Sequence, residues 1–242
     1  MKAYKKKKRS HIDIRDILTV IVILVFAVSY AKAVFFTDND TETVSISTYQ
    51  SAPEDAAYIV NNNVPYFTAD EITDKSFEDY SELDRLNRCG TATACLSKDT
   101  MPAEGEVRGE IGYIKPSGWH TVKYPDVISD RYLYNRCHLI GWQLGAENAN
   151  EKNLITGTRY LNVTGMLPYE NRVAEYIRKT GNHVMYRVTP DFEGNNLVAS
   201  GVLIEARSVE DDGCVFCVYC NNIQPGISID YATGESKKAW EG

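Results

Sequence analysis

The chain has 242 residues, of which 43% are hydrophobic and 24% are charged, a composition that is ordinary for a globular protein. Its net charge of −7 is uneven, because residues 1–16 hold seven Lys or Arg against two Asp and the remaining chain therefore carries −12. An acidic body argues against a protein that coats nucleic acid through a broad basic face. It leaves room for a local basic cleft.

The N-terminal forty residues have the pattern of a membrane-directed segment. Basic residues 5–9 precede an apolar run from Ile17 to about Phe36 that is interrupted by Lys32. The position of the positive charge predicts a cytoplasmic N-terminus and a body outside the cytoplasm. Two interpretations stay open: a signal peptide cleaved near Ala33, or a single-pass anchor whose lysine reaches back to the interface.

The chain is predicted to have four parts. They are a basic cytoplasmic tail at 1–16, an anchor or signal peptide at 17–36, a polar linker at 37–56 and one folded domain at 57–242. In the first half of the domain we predict a strand at 58–60, a helix at 76–86, a strand at 91–96, a loop at 102–119 and a strand at 132–140.

The second half of the domain carries the clearest helix, at 168–180. Pro168 suits its first position, apolar residues follow at helical spacing, and Gly181 suits the C-terminal cap. Segments 183–189, 197–207 and 214–223 follow as strands separated by turns, which predicts an antiparallel meander. The fold class is therefore α+β.

Six cysteines could pair in an exported protein. The spacing of Cys214, Cys217 and Cys220 resembles a zinc ligand set, but the run is β-branched and aromatic and predicts a strand. On a strand Cys217 faces away from the other two, and no second ligand pair exists elsewhere in the sequence. We therefore predict structural cysteines.

The segment from 134 to 142 carries the most chemistry. Adjacent side chains on a strand point to opposite faces, so Cys137 and His138 cannot form a catalytic pair. Arg136 and His138 share a face. An arginine beside an imidazole suits an anionic substrate, because the arginine can hold a phosphate while its charge lowers the pKa of the histidine and keeps it a neutral base.

The other histidines are weaker candidates. His11 lies in the basic tail, His120 lies in a loop where a packing role is expected, and His183 begins a strand without polar company. Downstream of His138, residues 148–162 are rich in asparagine. An amide oxygen is a suitable ligand for Mg²⁺, although each asparagine singly also fits a turn or a cap.

Residues 135–170 resemble the DNA/RNA non-specific endonuclease family, the ββα-metal nucleases with an Asp-Arg-Gly-His motif. The branch they most resemble contains the DNA-entry nucleases of Gram-positive bacteria. Residues 135–138 take the place of the motif, and Asn153, Asn162 and Glu170 follow at the family's spacing. Shorter stretches extend the likeness over about residues 83–236.

Two positions of the motif depart from the family. Asn135 replaces the Asp and keeps an acceptor oxygen but loses the charge. Cys137 replaces the Gly, and on a strand it should pack behind the site. Neither change removes the base or the metal ligand, so an active enzyme is expected.

The resemblance implies a ββα-metal core on an antiparallel sheet, with single-metal hydrolysis that leaves 5′-phosphate ends. In it His138 is the general base and Asn162 holds a hydrated Mg²⁺, with Mn²⁺ as a substitute. Arg136 and Arg108 balance charge on the phosphate. Asn153 positions His138 or the phosphate. Gly165 and Pro168 predict a break in the helix between Asn162 and Glu170. Glu170 would then support the metal ligands without contacting the metal itself.

The expected partners are DNA and RNA, bound through phosphate contacts, and a membrane if the N-terminal segment stays uncleaved. No pattern in the sequence identifies an inhibitor protein. Three alternatives stay open: a catalytically inactive nucleic-acid-binding module of the same fold, a secreted toxin nuclease, and a cysteine peptidase or transpeptidase. The last needs a Cys and a non-adjacent His in a recognisable pair, which the sequence does not offer.

Overall fold

The computed structural model describes residues 55–239. The predicted tail at 1–16, the anchor or signal peptide at 17–36 and nearly all of the linker lie outside these residues. Within residues 55–239, no helix is both long enough and apolar enough to cross a membrane.

Ten strands and two α-helices make up the described domain. In chain order they are β1 (Ala57–Ile59), β2 (Phe77–Tyr80), β3 (Ala92–Leu96), β4 (Tyr134–His138), α1 (Trp142–Gly145), β5 (Leu154–Thr158), α2 (Leu167–Thr180), β6 (Val184–Asp191), β7 (Gly201–Ser208), β8 (Val215–Asn221), β9 (Ile227–Ile229) and β10 (Ser236–Lys238). A π-helix, Leu161–Met166, runs directly into α2, and short 3₁₀ turns lie at Asn61–Asn63 and Glu151–Asn153.

A six-stranded sheet in the order β1-β8-β7-β6-β3-β2 forms the centre of the domain. All its neighbouring strands are antiparallel, and β6, β7 and β8 are the meander that the sequence predicts. Strand β7 begins at Gly201 rather than at residue 197. The predicted α+β, sheet-dominated architecture is confirmed.

The sheet is covered on both faces. On one face, α2 packs its apolar stripe of Val173, Ala174 and Ile177 into the main core with residues of β3, β6, β7 and β8. On the other, the segment after β1 supplies Val60 and Phe67 to smaller apolar clusters. With both faces covered, the central strands β7 and β8 are buried along most of their length rather than alternating.

Strands β4 and β5 form a separate two-stranded antiparallel sheet, with α1 in the connection between them. Its register pairs His138 with Leu154 and Asn135 with Gly157. The chain then continues through the π-helix into α2, so that two strands and a helical run form one ββα unit. This unit carries most of the candidate site residues.

The predicted helix at 76–86 is wrong. Residues 77–80 form β2, which pairs Phe77 with Cys95 and Tyr80 with Ala92, and the residues after it form turns. Apolar residues at 77, 80, 83 and 86 fit helical spacing, but burial along β2 alternates residue by residue. Pairing with the neighbouring strand decides the conformation of so short a segment, against its local pattern.

The predicted break between Asn162 and Glu170 is also wrong. The Leu167 N–H donates to the carbonyl of Asn162, five residues back, which closes the wider turn of a π-helix. Pro168 then falls in the first turn of α2, where its missing N–H costs little. At the other end Gly181 adopts a left-handed φ of 79°, as the predicted C-terminal cap requires.

The cysteines are free, buried thiols. Cys214 and Cys220 lie in the main core, while Cys217 lies in a cluster on the opposite face, which confirms the predicted alternation. Among residues 55–239, no group of three or more His, Cys, Asp or Glu side chains could hold a metal ion. All three cysteines lie in apolar clusters, the kind of place in which a structural cysteine packs.

Candidate active site

A cleft of about 410 Å³ opens beside the ββα unit. Five of the six site residues predicted from the sequence line it: Arg108, Arg136, His138, Asn162 and Glu170. A further arginine, Arg159, lies in the same wall. Although the body of the protein is acidic, the cleft therefore brings together three arginines and one buried glutamate.

His138 ends β4, and its side chain is held from both sides. Its Nε2 lies 2.9 Å from the carbonyl oxygen of Asn148, and its Nδ1 lies 3.0 Å from Nη2 of Arg108. A carbonyl only accepts and a guanidinium only donates, so we assign the proton to Nε2 and the lone pair to Nδ1. His138 is 6% exposed.

The pKa of His138 is lowered to about 4, first by burial and then by the charge of Arg108. The ring is therefore neutral around pH 7, as the sequence analysis predicts. The sequence pattern predicts that Arg136 supplies the charge that lowers this pKa, and that prediction is wrong. Arg136 has its guanidinium turned toward the backbone of the neighbouring loop.

Arg136 lines the cleft with His138 while it anchors this loop. Its Nη2 donates to the carbonyl of Gly112 at 2.5 Å, and its Nε donates to the carbonyl of Ile114. The guanidinium also stacks on Trp119 at 4.0 Å from the ring centroid. These contacts make Arg136 a fixed positive charge in the wall rather than a mobile arm.

Asn162 lies in the π-helix, with its amide between two residues of β4. Its Nδ2 donates to Oδ1 of Asn135 at 3.0 Å, and its Oδ1 accepts from the thiol of Cys137 at 3.3 Å. Cys137 is fully buried behind the site, as predicted. Burial raises the pKa of this thiol well above its ordinary value, so it stays a protonated donor.

Glu170 reaches the cleft wall because the helix continues unbroken from Asn162. Its side chain packs against Gly141, where a Cβ would lie 2.8 Å from the carboxylate. Glu170 is 9% exposed, and burial raises its pKa to about 7. The carboxylate thus lines the cleft itself rather than lying behind it.

Asn153 does not line the cleft. Its Oδ1 accepts from the Ile140 N–H at 2.8 Å, and its Nδ2 donates to the Ile140 carbonyl at 3.0 Å. The side chain is fully buried, so the predicted alternative of a phosphate contact is wrong. What the geometry supports is the other alternative, in which Asn153 fixes the backbone immediately after His138.

Sequence reasoning missed Arg159 and Asn148. Arg159 forms an ion pair with Asp130 at 2.7 Å, and its place three residues before Asn162 at a helix start could have predicted that both face one cleft. Asn148 acts through its backbone carbonyl, for which side-chain identity gives no indication.

The remaining described histidines lie away from the cleft. His120 contacts the carbonyl of Thr233 at 3.0 Å, in keeping with its expected packing role. His183 pairs with Glu210 at 2.7 Å, so the expectation that it lacks polar company is wrong.

The residues of the cleft that could hold a metal ion are Asn162 and Glu170. Both offer oxygen, the donor that Mg²⁺ and Mn²⁺ prefer, and both line the cleft. A bound cation would also favour the charged form of the buried Glu170 carboxylate. This small oxygen set fits an ion that keeps most of its waters.

The fold of the chain is similar to that of solved nuclease structures. The crystal structure of NucA from Streptococcus agalactiae with a magnesium ion bound matches with a TM-score of 0.64 and 27% identity, over 76% of this chain and 86% of NucA. The structure of Sda1 nuclease with a bound zinc ion matches with a TM-score of 0.59 and 29% identity, over 67% of this chain and 81% of Sda1.

A deoxyribonuclease from Streptococcus dysgalactiae subsp. equisimilis is 34% identical over 109 residues, which are 43% of this chain and 32% of that protein. The match thus spans about a third of that relative's length. Residues 68–210 match the DNA/RNA non-specific endonuclease family, and this range is more than half of the chain. The chain belongs to the DNA/RNA non-specific endonuclease family, which confirms the resemblance stated from its motifs.

Proposed function

We propose that the protein is a metal-dependent, non-specific endonuclease that hydrolyses phosphodiester bonds of DNA and RNA and leaves 5′-phosphate ends. The observation that carries this proposal is the state of His138. It is a neutral imidazole with its Nδ1 lone pair on an arginine-lined cleft that also holds an amide and a carboxylate oxygen. This combination is suited to a base that acts beside a phosphate.

In the proposed reaction, His138 takes a proton from water at Nδ1 while the water oxygen bonds to phosphorus. The bond from phosphorus to the 3′-oxygen breaks, and the leaving oxygen acquires a proton from solvent. The Nε2–H bond to Asn148 keeps the ring in the required tautomer and stabilises the imidazolium as it forms. Asn153 supports this arrangement by fixing the chain at Ile140.

Arg108 has two roles in the proposal. In the free protein it donates to Nδ1 and so occupies the lone pair that the base must use. A scissile phosphate offers a charged acceptor, for which a guanidinium forms stronger, paired hydrogen bonds. When Arg108 moves to the phosphate, Nδ1 becomes available to the attacking water. Arg136 and Arg159 then provide positive charge that stays in the wall.

We propose Mg²⁺ as the metal, with Mn²⁺ as a substitute, held through the amide oxygen of Asn162 and supported by Glu170. When bound, such an ion supplies Lewis-acid stabilisation of the charge on the leaving oxygen. The magnesium ion of NucA supports this choice, and the zinc ion of Sda1 shows that a relative takes another metal.

The place of action proposed is outside the cytoplasm, after cleavage near Ala33 or on an uncleaved anchor at 17–36. This part of the proposal rests on the charge and apolar pattern of the N-terminal segment. The biological role, whether uptake of DNA, nutrition or attack as a toxin, involves the same chemistry at the cleft.

Two alternatives predict different behaviour. An inactive nucleic-acid-binding module would bind but not cut, and Asn135 and Cys137 are the motif positions that favour it. A cysteine hydrolase needs a reactive thiol, yet the described cysteines are buried, and Cys137 contacts Asn162 rather than His138. Thiol-blocking reagents would inactivate a cysteine enzyme and spare a metal nuclease.

The test is digestion of plasmid DNA and of RNA by the purified chain with Mg²⁺, with Mn²⁺ and with EDTA. We expect cutting with either metal and none with EDTA. Asn162→Ala should remove cutting with both metals, because it deletes the proposed oxygen ligand. A folded wild-type chain that binds nucleic acid and leaves it intact would support the inactive module instead.

A further inference from the structure

The amide of Asn162 must present its oxygen, and not its nitrogen, to a cation. The two ends of an asparagine amide have nearly the same shape, and a half-turn exchanges them. Only the oxygen can coordinate a metal, because the nitrogen carries two donated protons. The neighbours of this amide therefore decide how well the site binds a cation.

Asn135 cannot set this orientation alone. Its Oδ1 accepts from Nδ2 of Asn162 at 3.0 Å, but it is itself an amide. If both side chains turned over together, Nδ2 of Asn135 would donate to Oδ1 of Asn162, and one hydrogen bond would replace the other. A carboxylate at position 135 would have only acceptors and would allow one direction. Replacing Asp by Asn at position 135 thus removes a negative charge and also removes the constraint on the orientation of the Asn162 amide.

Cys137 can determine which end of the Asn162 amide is oxygen and which is nitrogen. Its thiol lies 3.3 Å from Oδ1 of Asn162 and is a donor to oxygen but a weak acceptor for N–H. The side chain is also fixed in place. A Cβ on Gly157 would come within 2.6 Å of the Cβ of Cys137. The thiol also lies 3.5 Å from Sδ of Met166, but a thioether is a weaker acceptor for its one proton than the amide oxygen is. The thiol therefore stays against the oxygen end of the amide.

We propose that Asn135 and Cys137 are coupled positioning residues, and that Cys137 restores the orientation of the Asn162 amide that an aspartate at position 135 would impose. The two departures from the family motif are then linked, because Cys137 compensates for the orientation that is lost when asparagine replaces aspartate at position 135. This inference rests on the proposed function, since it assumes that Asn162 is a metal ligand.

The test measures binding of Mn²⁺ alone, without nucleic acid, by the loss of the free-ion electron paramagnetic resonance signal. In the full-length chain, Cys137→Ala should weaken Mn²⁺ binding roughly two- to tenfold, as expected for loss of one orienting hydrogen bond. In the Asn135→Asp background the same substitution should change the affinity less than twofold. Cys137→Ser, which keeps a donor, should recover part of the loss.

Cys95→Ala is the matched control. Cys95 is also buried, and its thiol donates to the carbonyl of Thr73 at 3.1 Å, away from Asn162. It should lower thermal stability without changing Mn²⁺ affinity. A melting curve for each variant shows whether it is folded. If Cys137→Ala does not fold, Cys137→Ser is compared in the two backgrounds, where it should weaken binding more beside Asn135 than beside the aspartate.

Two outcomes are separable. If Asn162→Ala leaves Mn²⁺ affinity unchanged, the metal role in the proposed function fails. If Asn162→Ala abolishes binding while the Cys137 substitutions have equal effects with asparagine and with aspartate at position 135, the coupling is refuted and the proposed function stands.

Discussion

His138 has a partner at each ring nitrogen, and its surroundings keep the ring neutral in a basic cleft. Burial removes water from the ring, and Arg108 adds a positive charge next to Nδ1. Both effects oppose protonation. The ring thus stays neutral beside arginines that would attract a phosphate, and its Nδ1 lone pair faces Arg108 in the free protein.

We expect His138→Ala to lower the rate of nucleic-acid cleavage at least about 10²- to 10⁴-fold, because the general base is lost. Plasmid nicking measures the rate, and circular dichroism checks the fold. His120→Ala removes a histidine outside the cleft and should cut at the wild-type rate. A folded His138→Ala protein that cuts normally would end the assignment.

The pH dependence follows from the lowered pKa of His138. His138 is protonated only as pH falls through about 4, so it stays a neutral base at pH 5, where a histidine of ordinary pKa 6.5 would be mostly charged. Loss of cleavage between pH 8 and pH 5 should therefore follow protonation of Glu170, whose pKa is raised to about 7. Arg108→Gln removes the charge that helps to lower this pKa. The ratio of the rates at pH 5 and pH 8 should therefore fall in that variant. An unchanged ratio would show that Arg108 does not tune the base.

At the scale of elements, Gly157 of β5 packs against the larger Cys137 of β4 inside the ββα unit. Gly157 of β5 lies where any side chain would meet the Cβ of Cys137 at 2.6 Å. The cysteine thus fills a space that the glycine leaves, and Asn162 is packed against it. Packing of β4 on β5 and on the π-helix is therefore linked to the site.

We expect Gly157→Ala to lower the free energy of unfolding by about 1–3 kcal/mol through overpacking. Urea denaturation measures this. Adding Cys137→Gly should recover much of the loss, because it removes the clashing Cβ. Gly112→Ala, at a position with open space around it, should change stability by less than about 0.5 kcal/mol. Equal losses with and without Cys137→Gly would contradict the proposed clash.

The alternation of residues along the strands and the helix-capping residues predict much of the ββα unit. The features that they miss depend on packing and strand pairing, which a local pattern does not contain. Strand alternation gave the opposite faces of Cys137 and His138, and a proline and a glycine bounded α2. The π-helix was missed, since a turn closed over five residues depends on packing rather than on local pattern. Strand β2 was missed because pairing with β3 creates it. The backbone carbonyl of Asn148, which bonds to His138, could not be predicted, because every residue type has such a carbonyl.

At the scale of the whole molecule, an acidic chain concentrates three arginines in one cleft. On the face of the sheet that the segment after β1 covers, Arg187 is bonded to the buried Glu205, so its charge is paired away from the cleft. Local positive charge in an acidic chain would favour binding of an anion at the cleft over binding across the whole surface. Binding should depend on few phosphate contacts.

We expect cleavage with little sequence preference. The groups in the cleft can all be assigned to phosphate, water or metal, and phosphate contacts carry no direct sequence information. Helix α2 presents mixed charge outward, with Glu175, Arg178 and Lys179 exposed, rather than a regular array that could read base edges. Sequencing the ends of partly digested DNA measures this. A sharp consensus extending several bases on either side of the cut would refute it.

Salt dependence tests how few contacts hold the substrate. Each phosphate neutralised contributes about −0.9 to the slope of log affinity against log salt for duplex DNA. With three cleft arginines, the slope should be about −3 or shallower, measured by binding a duplex in EDTA so that cutting does not interfere. Arg159→Gln should make the slope shallower by less than one, because Asp130 already pairs with this arginine at 2.7 Å. Arg85→Gln, which removes an exposed arginine bonded to Asn195 outside the cleft, should leave it unchanged. A slope much steeper than −3 would mean that nucleic acid is held by a broad surface beyond the cleft.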